Sequence, residues 1–262
     1  MMLIYQNLIQ TKEASMQQYE AALPLQLKEL RLSMFQKEWL KTQELATKNS
    51  WGHSQYLSCL CSLELQNRQT TRITRRVKES RLPKDKTLSS FDFKANPGVK
   101  ADQINALSDS DSWVKKANNI IIFGPSGVGK THLAAAVGYR QIELGHRVKF
   151  QQTSHMVQFL QQAKAQLRLR EELTKLDNIP LLILDDIGYV KKDEHETSVL
   201  FELICQRYET GSLIITANHQ FSEWDNIFPD NMMAVASIDR LVHHATIIKI
   251  EGGSYRVKNK TT

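Results

Sequence analysis

The sequence is poor in the residues that staple small folds and in the long apolar runs that mark a membrane protein. Three cysteines in 262 residues, Cys59, Cys61 and Cys205, form no even framework. Cys59-x-Cys61 has neither a second pair nor a histidine pair at zinc spacing, so these residues are expected as buried thiols of a cytoplasmic protein. The apolar stretches Ile120–Phe123 and Leu181–Leu184 fall far below the ~18 residues of a membrane span. Met1–Asn7 carries no basic segment and no long apolar one, so neither a signal peptide nor a membrane partner is expected. What remains is ordinary globular usage, 41% hydrophobic and 24% charged, enough to build one large or two small domains around cores that need no staple.

Positive charge is concentrated at one end. Residues 1–100 hold 16 Lys/Arg against 9 Asp/Glu, and residues 101–262 hold 18 against 19, so a polyanionic partner is expected at the first hundred residues. Residues 1–80 read as helical, with Leu23, Leu27, Leu30, Met34 and Phe35 at three- and four-residue steps. Ser54 is expected to cap a second helix that runs into a basic tract beginning at Arg68. Pro83, Pro97, Gly98 and a Ser/Asp cluster mark residues 81–117 as a linker. From residue 118 onward, strand-length apolar runs alternate with amphipathic segments: Asn119–Phe123, His132–Leu144, Arg147–Gln151, Ser154–Leu169, Leu181–Asp185, His195–Tyr208, Ser212–Ala217 and Thr246–Ile250. That alternation predicts an α/β domain over 118–262, a doubly wound parallel sheet with helices on both faces, behind a small all-α N-terminal domain.

The chemistry sits where one of those strands meets a helix. Gly124-Pro125-Ser126-Gly127-Val128-Gly129-Lys130-Thr131 fits G-x-x-x-x-G-K-[ST], in which glycines let backbone N–H groups close around phosphate oxygens at a helix N-terminus. Lys130 is expected on the β/γ-phosphates, Thr131 on Mg²⁺, and His132 completes the nucleotide-binding set. Asp185 and Asp186 end an apolar strand 55 residues after the lysine, the edge where doubly wound sheets bind ligands. Asp185 then suits Mg²⁺ and Asp186 the attacking water. Asn218 ends the next strand and is either a γ-phosphate and water contact or an ordinary turn asparagine.

GPSGVGKTHLAAAVG, LLILDDIGYV, LFELICQRYE, SLIITANHQFSEWDNIF, ASIDRLVHHATIIKI and GGSYRVK, in that order, resemble the IstB-type transposition helper ATPases of bacterial insertion sequences, in the AAA+ (P-loop, ASCE) clade with DnaC-type helicase loaders. The likeness runs from about Leu23 to Lys258. It implies ATP as the nucleotide, Asn218 as a sensor, Arg240 as an arginine finger acting on a neighbouring subunit, and Arg256 as a second sensor arginine. His243 and His244 lie in the same motif and read as packing or polar contacts, not a metal pair. Two departures from the clade stand out. Asp186 occupies a position that is commonly Glu, and only 12 residues follow the last strand, so no C-terminal helical lid is expected. Linker residues near Phe91 and Phe93 are then expected to cover the adenine.

Arg68, Arg72 and Arg76 fall at i, i+4 and i+8, with Arg75 beside them, a stripe suited to phosphate backbones without base readout. Together with the resemblance this implies a cytoplasmic homo-oligomer, a ring or helical array. It would assemble on duplex DNA with ATP, hydrolyse ATP with Lys130, Asp186, Asn218 and Arg240, and deliver target DNA to a transposase. A helicase loader, a nucleotide-gated DNA scaffold with little hydrolysis and a small-molecule P-loop kinase are the alternatives. The kinase is disfavoured because it leaves the finger and sensor arginines without a purpose.

Overall fold

The computed structural model describes residues 16–96, 98–188, 194–219 and 231–252. The chain divides into two compact units, Met1–Arg72 and Ile73–Thr262. In the first, helices α1 (Met16–Glu29) and α2 (Ser33–Lys48) join the leading part of α3 (His53–Ser80). Leu27, Trp39 and Leu60 form its buried centre, with Leu23, Phe35 and Tyr56 against them. Leu30, expected on the apolar face, is 65% exposed, because α1 has ended and the chain turns at Arg31, where φ is 56°. The start of α2 has no capping side chain of its own. Glu64 of α3 supplies one, accepting the Met34 N–H at 2.8 Å and the Arg68 guanidinium at 2.7 Å. Burial pushes the Glu64 carboxyl up, but those hydrogen bonds outweigh it and hold the group below its ordinary value. Ser54 lies inside α3 rather than capping it; Gly52 N–H donates instead to Gln55 Oε1.

The second unit is built on five parallel strands: β1 (Asn119–Phe123), β2 (Val148–Gln152), β3 (Leu181–Asp185), β4 (Ser212–Ala217) and β5 (Ala245–Lys249). Their order is β2-β3-β4-β1-β5, with Ile120 opposite Ile214 and Thr246. Alternate residues feed two cores, as a pleated sheet requires. Ile121, Leu182, Leu184, Leu213 and Ile215 meet α7 (Thr153–Ala165), α8 (Leu169–Asp177), α9 (Glu194–Arg207) and Leu241 of α10 (Asn231–Val242). Ile120, Ile122, Leu181, Ile183 and Ile214 meet α6 (Lys130–Glu143) on the other face.

Residues 81–117 are not a free linker. Leu82, Phe91, Val99, Ile104, Trp113 and Val114 are buried in the α6-side core, and the segment contains α4 (Ala101–Asp109) and α5 (Ser112–Lys115). Its polar residues occupy turns and the two short helices between widely spaced apolar anchors, a pattern that composition alone misreads. The unit boundary falls inside α3, at 72/73 rather than at 80, because Ile73 and Val77 pack on the same core. The helix expected over 154–169 breaks after Ala165, with Leu167 at φ 58° and 96% exposed. The two thiols expected to be buried are not: Cys61 is exposed and Cys59 is only partly covered.

Arg207 closes α9 from a fully buried position. Its guanidinium donates to the carbonyls of Leu176, Ile179, Pro180 and Ser212 at 2.8–3.0 Å. Burial pushes it down to about 10, with Asp177 pulling the other way. A Cβ at Gly211 would stand 2.4 Å from this group, so the turn after α9 is fixed.

Candidate nucleotide-binding site

The loop between β1 and α6 uses its glycines where a side chain has no room. Gly124 has φ 157°, and a Cβ there would meet the Ile250 carbonyl oxygen at 2.2 Å. Gly129 caps α6 at φ 100°, in the left-handed region, with the Phe91 ring over it. The loop, α6 and the ends of β3 and β4 line a cleft of about 450 Å³, within the range of small-ligand pockets.

One connected set of hydrogen bonds runs along its floor. Lys130 is 7% exposed, and its Nζ donates to the carbonyls of Gly124 and Pro125 at 2.7 and 2.8 Å and to Asn218 Oδ1 at 2.6 Å. Asn218 Nδ2 donates to Asp186 Oδ1 at 2.9 Å. The Asp186 N–H donates to Thr216 Oγ1 at 2.8 Å, and that hydroxyl donates to Asp185 Oδ1 at 2.6 Å. Thr131 Oγ1 donates to the same carboxylate at 3.0 and 3.1 Å. Asp186 has φ 61°, a left-handed conformation that costs a non-glycine residue about 1–2 kcal/mol. Thr216 and Asn218 hold it there.

One cation and two carboxylates leave this set a net negative charge that a divalent ion would offset. Magnesium fits the donors, since Thr131 and Asp185 offer hard oxygens about as far apart as neighbouring ligands around an ion with bonds of about 2.0–2.1 Å.

A cover lies over the loop. Phe91 is edge-on to Phe93 and to His132, at centroid distances of 4.8 and 5.3 Å. His132 Nε2 lies 2.9 Å from the Thr87 carbonyl, which can only accept, so this nitrogen carries the proton. Thr87 and Ser90 cap the short 3-10 turn Leu88–Ser90. Phe91 lines the cleft, with Phe93 edge-on beside it. Lys86 lines the cleft as well. Neither Lys86 nor Thr216 was singled out from sequence as a site residue. Thr216 leaves a trace there, as a hydroxyl in the otherwise apolar run Leu213–Ala217.

Lys130, Thr131, His132, Asp185, Asp186 and Asn218 are thus brought together. Arg240 is not in this cleft: its Nη1 donates to the Ala236 carbonyl at 2.9 Å, and its guanidinium lies 5.7 Å from the Phe201 ring centre. Arg256 lies outside the described residues. Of the expected DNA stripe, Arg68 is bound to Glu64 and to the Arg31 carbonyl, and Arg76 donates to the Gly145 carbonyl. Arg75 stands 3.8 Å from Glu79, and Arg72 is exposed. Arg68 and Arg75 are exposed as well, and Arg76 is half-buried.

The profile of the IstB-like ATP binding proteins matches residues 25–262. The chain belongs to this family. A relative from Sinorhizobium fredii, named for an insertion sequence and for ATP binding, is 48% identical over 237 residues, 90% of this chain and 80% of that one. A Pseudomonas aeruginosa relative, named for the insertion sequence IS21 and for ATP binding, is 39% identical, covering 83% of this chain and 82% of its own. Among solved structures, the DnaC helicase loader aligns with TM-score 0.51 and 21% identity over 58% of this chain and 88% of that one. A DnaA replication initiator bound to AMPPCP and single-stranded DNA aligns with TM-score 0.55 and 20% identity over 69% and 55%. At that identity the likeness speaks for the fold, which is AAA+. Membership of the IstB-like family makes this an ATP-binding protein. No helix among the described residues is long and apolar enough to cross a membrane.

Proposed function

We propose that the chain is an ATP-dependent helper of transposition. In this reading it binds duplex DNA without sequence choice, oligomerises on it with ATP, hydrolyses ATP with Mg²⁺ and hands target DNA to a transposase. The observation that carries the ATPase part is the hydrogen-bond chain from Thr131 through Asp185, Thr216, Asp186 and Asn218 to Lys130. Family membership and the relatives named for insertion sequences carry the transposition part.

Lys130 exchanges its three internal acceptors for phosphate oxygens when nucleotide enters. Asn218 is then released from the lysine and, with Asp186, holds the attacking water. Thr131 and Asp185 hold Mg²⁺, which neutralises charge on the phosphates. Phe91 and Lys86 close the sugar and base side. Arg240 lies outside its own cleft and completes the site of a neighbouring protomer, with Arg256 as a second arginine on the phosphates. Arg72 and Arg75 contact the DNA backbone, with Arg68 and Arg76 joining if their internal contacts open.

The test is ATP turnover with and without duplex DNA, alongside particle mass in each nucleotide state. Larger particles and faster turnover with ATP and DNA together are expected; a monomer with DNA-independent turnover refutes the reading. A second reading, a nucleotide-gated scaffold with little hydrolysis, is favoured by the shorter Asp186 carboxylate and its hold on Asn218. Asp186→Asn separates the two. Slower turnover with ATP-driven DNA binding intact supports the ATPase, whereas unchanged, very slow turnover supports the scaffold.

A further inference from the structure

At the ends of α9 and α10, away from the cleft, three side chains come together. Glu209, His243 and His244 each offer a ligand atom, and these atoms all lie within 4.8 Å of one another. We infer that Glu209, His243 and His244 form a binding site for a divalent transition-metal ion of the zinc class.

The donor set suits such an ion. Two imidazoles and a carboxylate prefer zinc, cobalt or nickel over magnesium, which favours oxygen alone. Ligands of a tetrahedral zinc ion sit about 3.3–3.6 Å apart, given bonds of about 2.0–2.2 Å. Closing from at most 4.8 Å is therefore a rotamer adjustment of no more than about 1.5 Å, which exposed side chains make readily. A fourth position stays open to water.

The backbone beneath these side chains is already set. Glu209 stands at φ 57° in the turn that buried Arg207 fixes, where the Thr210 and Gly211 N–H groups both donate to the Arg207 carbonyl. The His243 N–H closes the last turn of α10 on the Asp239 carbonyl, and the His244 carbonyl accepts from Asn119 of β1. The two imidazoles already lie side by side, with centroids 4.1 Å apart and planes tilted by 43°. Two helix C-termini, each with partial negative charge, converge here and favour a cation.

Tyr208 adds an orienting contact. Its hydroxyl lies 2.9 Å from His243 Nδ1, which leaves Nε2 to face the ion when Nδ1 carries the proton. Ligating histidines are usually held in this way through their other nitrogen. The contact expected for His243 as a polar residue is thus the same one that would aim it at a metal. Arg240 lies three residues before His243 on the same helix, so an ion here would fix the end of the element that carries it.

The test uses the full chain, freed of metal by a chelator, without a histidine tag and under reducing conditions, with magnesium in excess. Zinc is titrated calorimetrically, and cobalt is titrated by its visible absorption. The wild type is expected to take one equivalent more than His243→Ala/His244→Ala. Glu209→Gln, which keeps the side-chain volume, should bind that equivalent at least about 10-fold more weakly. ATP binding reports folding in each variant. If the double variant fails to fold, Glu209→Gln carries the test alone. Equal stoichiometry and affinity in wild type and folded variants, including no binding in either, overturns the site.

Discussion

Asn218 offers its oxygen to a cation and its nitrogen to an anion, so one amide joins Lys130 to Asp186. Its orientation follows from chemistry, since an ammonium only donates and a carboxylate only accepts. Lys130, Thr131 and Asp185 could be read from spacing, because a phosphate loop and an acid at a strand end constrain residue type. Thr216 could not, because a threonine inside a strand is unremarkable until the fold sets it between two carboxyl-bearing residues. Thr216→Val keeps the shape and removes both of its hydrogen bonds, leaving the Asp186 N–H without its acceptor. A loss of about 1–3 kcal/mol in stability is expected, with weaker magnesium-dependent ATP binding, by thermal melts and nucleotide titration. Lys86 lines the cleft, and in the proposed reading it closes the sugar and base side that ADP and ATP share. Lys86→Ala should therefore weaken ADP and ATP by the same factor; a loss confined to ATP refutes this placement.

The cover illustrates what composition hides at the level of whole elements. Residues 81–117 carry the prolines, serines and aspartates of a linker, yet Leu82, Phe91, Ile104 and Trp113 are buried. Those apolar residues are too widely spaced for one helical or strand period, and each anchors a separate short piece: Leu82 and Phe91 lie in turns, Ile104 in α4 and Trp113 in α5. The strands β1, β3 and β4, by contrast, were legible to the residue, because strands buried on both faces read as unbroken apolar runs. Phe91 rests on the phosphate loop at Gly129 as well as in the core, so its loss acts twice. Phe91→Ala should cost about 3–5 kcal/mol of stability and also weaken nucleotide binding at temperatures where the protein remains folded. Destabilisation with unchanged ATP affinity would mean that the ring only packs.

For the molecule as a whole, the arginine assigned to the γ-phosphate is not beside it. Arg240 lies on Phe201, in a surface groove shared with Tyr208, Met232 and Val235, and Met232 is 83% exposed. This part of the reading came from resemblance, because spacing says nothing of what a neighbouring protomer supplies. Head-to-tail contacts of this kind generate rings or open helices. Arg240→Ala should bind ATP but hydrolyse it slowly, since a finger is worth about 10³–10⁵ in rate. Mixing it with Lys130→Ala, which cannot bind ATP, should restore part of the activity, each protein lending the half the other lacks. A mixture that co-assembles and stays inactive rules out the shared site.

The lysine at the centre of the cleft has a further property as a nucleophile. An ammonium has three hydrogens, and Lys130 has an oxygen acceptor for each, at 2.6, 2.7 and 2.8 Å. Acylation needs a lone pair on that nitrogen, and exposing one means breaking the set while the side chain is 7% exposed. In a labelling time course with an amine-directed ester, Lys130 should therefore be among the last lysines modified, with or without ATP. Half-buried Lys86 should react early and become protected when ATP is added. The residue on which nucleotide binding depends most would then leave the faintest chemical footprint, and its neighbour on the cover would report occupancy in its place.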